Sequence, residues 1–243
     1  MRIVAFSKRC TREILRDPIN LFFGIGFPVT LLLLLSAMQS NIPVELFAIE
    51  SLAPGIPVFG LSFITLFSAT LVAKDRESSF LQRLYTTPIR PCEFIIGYTL
   101  PILPMAIAQS CVCYAVACLL GMKISLNILY ALLWMIPIAV FYIALGLLCG
   151  SVLTSKQAGG ICGALLSNLS AWLSGVWFDL SLIGGAFEDC AGLLPFVHAV
   201  ELERAVISGE FSLIIQHALP VFAYAILTLA CAVFLFIRQM KKQ

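Results

Sequence analysis

His198 and His217 are the only two histidines in the chain, and they limit the chemistry it could perform. His198 and Glu201, three residues apart, share a helix face and could hold a metal ion or hydrogen-bond to each other. With no third ligand in view, a hydrogen-bonded pair is the expectation and no metal is assigned. His217 sits in a long apolar run, close to its end. It could take up a proton there; satisfaction by water at headgroup level is the other reading. A protease working inside a membrane would need a serine and a histidine at matching depth. Both histidines fall near one face instead, and no G-x-S-G element occurs. Cys111 and Cys113 are too close in sequence to share a helix face. No catalytic residue is assigned, and no metal.

The elements that must position these residues are membrane helices. Of 243 residues, 60% are hydrophobic and only 12% charged, with a mean hydropathy of +1.01; a soluble domain carries about twice that charged fraction. Six apolar stretches are long enough to cross a bilayer: about 19–38, 54–73, 94–120, 128–150, 158–178 and 211–237. Six of the nine cysteines (Cys111, Cys113, Cys118, Cys149, Cys162 and Cys231) lie inside these runs and read as small packing residues. Cys190 lies in an outer segment without an evident partner, so no disulfide framework is expected. The first run is too long for a cleaved signal sequence and reads as an anchor.

Thirteen of the fifteen lysines and arginines fall on one face of this six-span arrangement, leaving Lys123 and Arg204 on the other. Cytoplasmic loops are the basic ones. Both termini and the 74–93 loop are therefore expected in the cytoplasm, in a multi-pass protein of a bacterial-type cell (inner) membrane. The whole chain, 1–243, reads as one all-α transmembrane domain.

Two cytoplasmic stretches are amphipathic. In residues 2–16, Arg2, Arg9, Arg12 and Arg16 gather on one side of a helical wheel, with Ile3, Phe6, Cys10 and Ile14 on the other. This predicts an interfacial helix with its apolar face in the headgroup region, broken at Asp17-Pro18; a basic flank that only sets orientation is the alternative. Residues 75–87 place Phe80, Leu81, Leu84 and Tyr85 on one face, beside Asp75, Arg76, Glu77, Gln82 and Arg83, and Pro88 stops the helix. A helix lying on anionic lipid would avoid acids. Mixed charge with apolar anchors suits docking to another protein; a solvated loop is the alternative.

The stretch from Asp75 through Arg76, Glu77, Ser79, Phe80, Leu81, Gln82, Arg83 and Leu84 to Thr87 and Pro88 resembles the E-R-E-x-G-T-L-E-R-L-x-x-T-P loop of type-2 ABC transporter membrane subunits. "LSGVWF" (173–178) followed by "LPFVHAVELERAVISG" (194–209) resembles a second motif of that family, with Pro195, Arg204 and Gly209 in matching places. Ser79, Phe80 and Asp179 depart from the family's glycine, threonine and proline. The resemblance covers essentially the whole chain. It implies an exporter permease whose 75–87 segment is a coupling helix, with Asp75, Arg76, Glu77, Phe80, Leu81, Arg83 and Leu84 docking a separate ABC ATP-binding subunit. It also implies a second permease copy, identical or not, and an outer re-entrant hairpin over 179–210, with apolar pieces at about 182–194 and 196–208. ATP and magnesium would belong to the partner: this chain has no G-x-x-x-x-G-K-[ST] phosphate loop. No cofactor and no nucleic-acid partner are expected for it.

The six runs carry no Asp, Glu, Lys or Arg, whereas carriers driven by protons or sodium ions usually hold ionisable residues within the bilayer. An outside energy source fits. By resemblance, Ser62, Thr65, Asn168 and Trp172 would line the translocation route, although small hydroxyl residues also serve as packing glue between helices. Short outer loops and an uncharged route suit an amphipathic or lipid-like substrate: a drug, a peptide antibiotic or a lipid-linked compound. A polysaccharide or glycolipid exporter and a non-transporting sensory or immunity subunit are the alternatives.

Overall fold

Asp17 and Pro18 set the first helix boundary. The Asp17 carboxylate accepts a hydrogen bond from the Asn20 backbone N–H at 3.1 Å, and Pro18 occupies the first helical position, where its missing N–H costs nothing. A computed structural model describes residues 2–42, 47–78, 91–178 and 180–240. All regular structure among them is helical. The helices are α1 (Arg2–Leu15), α2 (Pro18–Gln39), α3 (Ile49–Glu77), α4 (Pro91–Leu119), α5 (Asn127–Val152), α6 (155–173), α7 (Gly185–Gly192), α8 (Pro195–Ser208) and α9 (Phe211–Met240).

Helices α2, α3, α4, α5 and α9 are long and apolar enough to cross a membrane. The expected fifth span, 158–178, is absent from this set. The chain there is helical over 155–173, passes through a π-helical turn at Ile161–Leu166, and leaves the helix at Ser174. Lys156, Gln157, Ser167, Asn168 and Ser170 dilute its apolar character. A second π-turn, Phe22–Gly26, lies just before Pro28 in α2; Pro28 cannot donate to the carbonyl four residues back, and the helical ladder widens beside it.

Helix α3 is the axis of the molecule, with 89% of its most apolar stretch buried. Its closest neighbour is α5, and glycines set the spacing: a Cβ on Gly150 would stand 2.5 Å from the Ala69 carbonyl oxygen, and one on Gly146 would collide with Thr65 and Ser68. Gly146 and Gly150 thus form a G-x-x-x-G face that lets two backbones meet. Thr65 Oγ1 donates across this seam to the Tyr142 carbonyl at 2.8 Å.

Helix α1 departs from its expected setting. Phe6, Cys10 and Ile14 are buried, with the Phe6 ring edge-on to Tyr98 at 4.9 Å and to Phe94 at 5.9 Å. The apolar face therefore rests on α4 and not in lipid, because aromatic rings of α4 supply a covering surface. Among the residues left exposed, Lys8, Arg12 and Arg16 lie beside Val4 and Leu15.

The expected outer pieces correspond to α7 and α8, the first shorter than expected and preceded by a 3-10 turn at Leu180–Leu182; Asp179 lies outside the described residues. Pro195 opens α8 and Gly209 closes it in the left-handed region at φ 81°, with the Glu210 N–H donating to the Ala205 carbonyl at 2.9 Å. Asn127 of α5 donates to the Ile207 carbonyl at 3.1 Å, tying that cap to the spans.

Candidate functional site

Four consecutive charges, Lys74 to Glu77, end α3, and successive helix positions point about 100° apart. Asp75, Arg76 and Glu77 consequently point in three directions and reach four other helices.

Asp75 turns inward and is 1% exposed. Both guanidinium nitrogens of Arg9 in α1 donate to its carboxylate at 2.5 Å, and the Tyr98 hydroxyl of α4 donates at 2.8 Å. Such a fork is the strongest geometry available to a carboxylate. Partial burial alone would lower the Arg9 pKa, but the Asp75 hydrogen bonds and charge reverse this and hold it above its ordinary value. Burial pushes the neighbouring Cys10 thiol up to about 12, so it stays protonated.

Arg76 reaches sideways to the carboxyl end of α5. One guanidinium nitrogen donates to the Ser151 carbonyl; the other donates to Leu153 at 2.6 Å and to Val152 at 3.3 Å. These are carbonyls that a helix end leaves without partners, and a cation there also complements the helix dipole. Glu77 does the opposite job for α6. Its carboxylate accepts from the Ser155 N–H at 2.8 Å and the Ser155 hydroxyl at 2.7 Å, at the helix end where negative charge is favoured. Thr154 and Gln157 complete that start with a reciprocal capping box.

The mixed charge of 75–77 is thus accounted for by ties within the chain. Asp75 in particular has both carboxylate oxygens engaged within the chain. The remaining expected docking residues, Phe80, Leu81, Arg83 and Leu84, lie outside the described residues.

The four route candidates separate into two pairs. Ser62 and Thr65 are buried on the helix that packs most closely against α5, and Thr65 is spent on the Tyr142 carbonyl. Both are packed inside the protomer among the described residues. Asn168 and Trp172 lie on the exposed side of α6, with the Asn168 amide donating to the Ala164 carbonyl at 2.7 Å.

In the outer motif, Arg204 donates to Glu201 at 2.7 Å and to the Gly175 carbonyl at 2.8 Å, joining α8 to the turn after α6. Glu201 therefore pairs with Arg204 and not, as expected, with His198. His198 instead faces His217 of α9, with 3.1 Å between the two Nδ1 atoms, and its Nε2 lies 2.9 Å from the Gly192 carbonyl. The expectation that His217 rests on water gives way to this pair. Glu203 is fully buried and accepts from the Tyr114 hydroxyl at 2.6 Å. The signals available for these contacts were few. G-x-x-x-G at 146–150 is visible as a spacing, whereas the partners of Asp75 and Glu203 come from elements far away in sequence.

The model of the ABC-2 type transporter membrane family matches residues 1–208. The chain belongs to that family. An ABC-2 membrane protein is a transport permease subunit and not itself a catalyst. No curated relative matches the sequence.

Proposed function

We propose that this ABC-2 permease is the membrane subunit of an ATP-driven exporter, seated through residues 75–87 on a separate ATP-binding subunit that holds ATP and magnesium. The observation that carries this reading is the convergence of α1, α4, α5 and α6 on three consecutive side chains. A push delivered just beyond Glu77 reaches four helices through short polar ties, which is what conversion of ATPase closure into helix movement requires. Between Leu52 and Ala73, α3 carries no charge, which supports an external energy source and an amphipathic or lipid-like substrate.

The basic residues favour cytoplasmic termini in a bacterial-type inner membrane. The exposed Asn168 and Trp172 on α6 support a second permease copy on that side, since a polar amide on a membrane helix gains most against another protein helix. Replacing Leu81 and Leu84 with Asp tests the docking. Loss of co-purification with the ATP-binding subunit is the expected result, and an intact complex would overturn it. Substrate-stimulated ATPase activity of the reconstituted wild-type complex tests transport.

A further inference from the structure

Two imidazoles from different helices face each other at the end of the bundle holding the 120–126 and 209–210 connections. We propose that His198 and His217 form the core of a site for a divalent transition-metal ion of the zinc, copper or nickel kind, with Glu201 as its carboxylate ligand.

The geometry begins with the tautomers. A carbonyl only accepts, so His198 Nε2, 2.9 Å from the Gly192 oxygen, carries the proton. In neutral His198 the Nδ1 atom is then bare, and its lone pair points at His217 Nδ1, 3.1 Å away. Two nitrogens bound to one zinc-like ion at about 2.0–2.1 Å stand about 3.0–3.4 Å apart. The pair already has this bite, and a small rotation of each ring turns both lone pairs toward one point. The Gly192 contact also supplies what a metal-binding histidine usually has, a carbonyl holding its far N–H and fixing the ring.

Both rings line a cavity of about 240 Å³ together with Glu188 and Glu201. Glu201 lies one helical turn from His198 on α8, and its charge acts on His217. Among the described residues no three such groups already converge as a metal site, because Glu201 is drawn to Arg204. If Glu201 turned, Arg204 would keep the Gly175 carbonyl at 2.8 Å as an acceptor. Water completes the shell.

The proton balance is simple. In the neutral pair, His217 donates its Nδ1 proton to His198; metal binding moves that proton to His217 Nε2 through solvent, with no net release. If the pair carries an extra proton, that proton leaves to water. An ion bound here would fasten the α7–α8 corner to α9.

The test uses the full chain in detergent with a histidine-free affinity tag, titrated with zinc chloride by calorimetry and with Cu²⁺ by electron paramagnetic resonance. Saturable binding near one ion per chain is expected, with nitrogen hyperfine structure from two imidazoles. His198→Ala and His217→Ala should each weaken zinc by at least about tenfold, and Glu201→Gln by less. Binding should also weaken at acid pH, because protons compete with the metal for the imidazole nitrogens. His217→Gln, which keeps a polar group against His198, serves if the alanine variant unfolds. The chain has nine cysteines, so zinc binding that survives loss of both histidines, or an absence of saturable binding by the wild type, overturns the site.

Discussion

Arg9 of α1 grips Asp75 of α3 through two hydrogen bonds of 2.5 Å, across 66 positions of sequence. The carboxylate is 2% exposed and the guanidinium 35%. This asymmetry says which loss should cost more. Arg9→Ala leaves a buried carboxylate with only the Tyr98 hydroxyl, and should destabilise the protein by on the order of 2 kcal/mol, discounted for the exposure of Arg9. Asp75→Asn keeps a hydrogen-bonding group in place and should cost less. Thermal unfolding in detergent checks the order, and equal midpoints for the Arg9→Ala protein and wild type would refute the anchoring role.

Arg76 and Glu77 make the second prediction. Each satisfies backbone groups at a helix end, so each substitution should loosen one helix without removing the docking stretch. Arg76→Gln should free the carboxyl end of α5 by about 1 kcal/mol, and Glu77→Gln should weaken the start of α6. If these ties transmit ATPase closure, both variants should still co-purify with the ATP-binding subunit while losing several-fold in substrate-stimulated ATPase rate. Loss of the complex with retained stimulation would point to a docking role instead.

How much of this was legible in the sequence follows from the range of the interactions. The long helices were legible because bilayer thickness imposes a run of apolar residues, and the Asp17-Pro18 break because proline acts on its immediate neighbour. α6 falls short of the apolar character of the other long helices because its apolar residues are interleaved with Lys156, Gln157, Asn168 and two serines, and spacing alone does not show its packing against α3 and α5. The mixed charge at 75–77 was visible, but its destinations were not: Arg9, Ser151 and Ser155 are brought there by the fold. His198 and His217 show the same limit, since two helices had to turn back on each other before the rings could meet.

The seam between α3 and α5 gives the third prediction. A side chain at Gly150 has no room, its Cβ lying 2.5 Å from the Ala69 oxygen and 2.9 Å from Val72 Cβ. Gly150→Ala should cost on the order of 2 kcal/mol, and Gly150→Leu should abolish recovery of folded protein. Gly159, whose added Cβ meets nothing within 4 Å, is the control: Gly159→Ala should be neutral or slightly stabilising. Size-exclusion profile and unfolding midpoint are the readouts, and a Gly150→Leu protein as monodisperse and stable as wild type would contradict the close packing.

Glu203 makes the last prediction, one of pH. It lies on α8, outside the five helices long and apolar enough to span a membrane, and is fully buried, with one carboxylate oxygen lacking a hydrogen-bond partner among the described residues. Burial raises its pKa from 4.5 to about 8, while the Tyr114 hydrogen bond pulls the other way. Between these two values the folded chain holds a proton that the unfolded chain has released. Folded-state stability from this group therefore falls as the pH rises from about 4.5 through about 8, and levels off above. The fall should amount to a few kcal/mol. Glu203→Gln mimics the protonated carboxyl and should flatten that part of the profile, raising the unfolding midpoint most at alkaline pH. Tyr114→Phe removes the donor that favours the carboxylate, so it should steepen the loss and carry it to higher pH. Midpoints measured from pH 5 to 9 decide the matter: parallel profiles for wild type and Glu203→Gln would show that this carboxyl does not hold its proton in the fold.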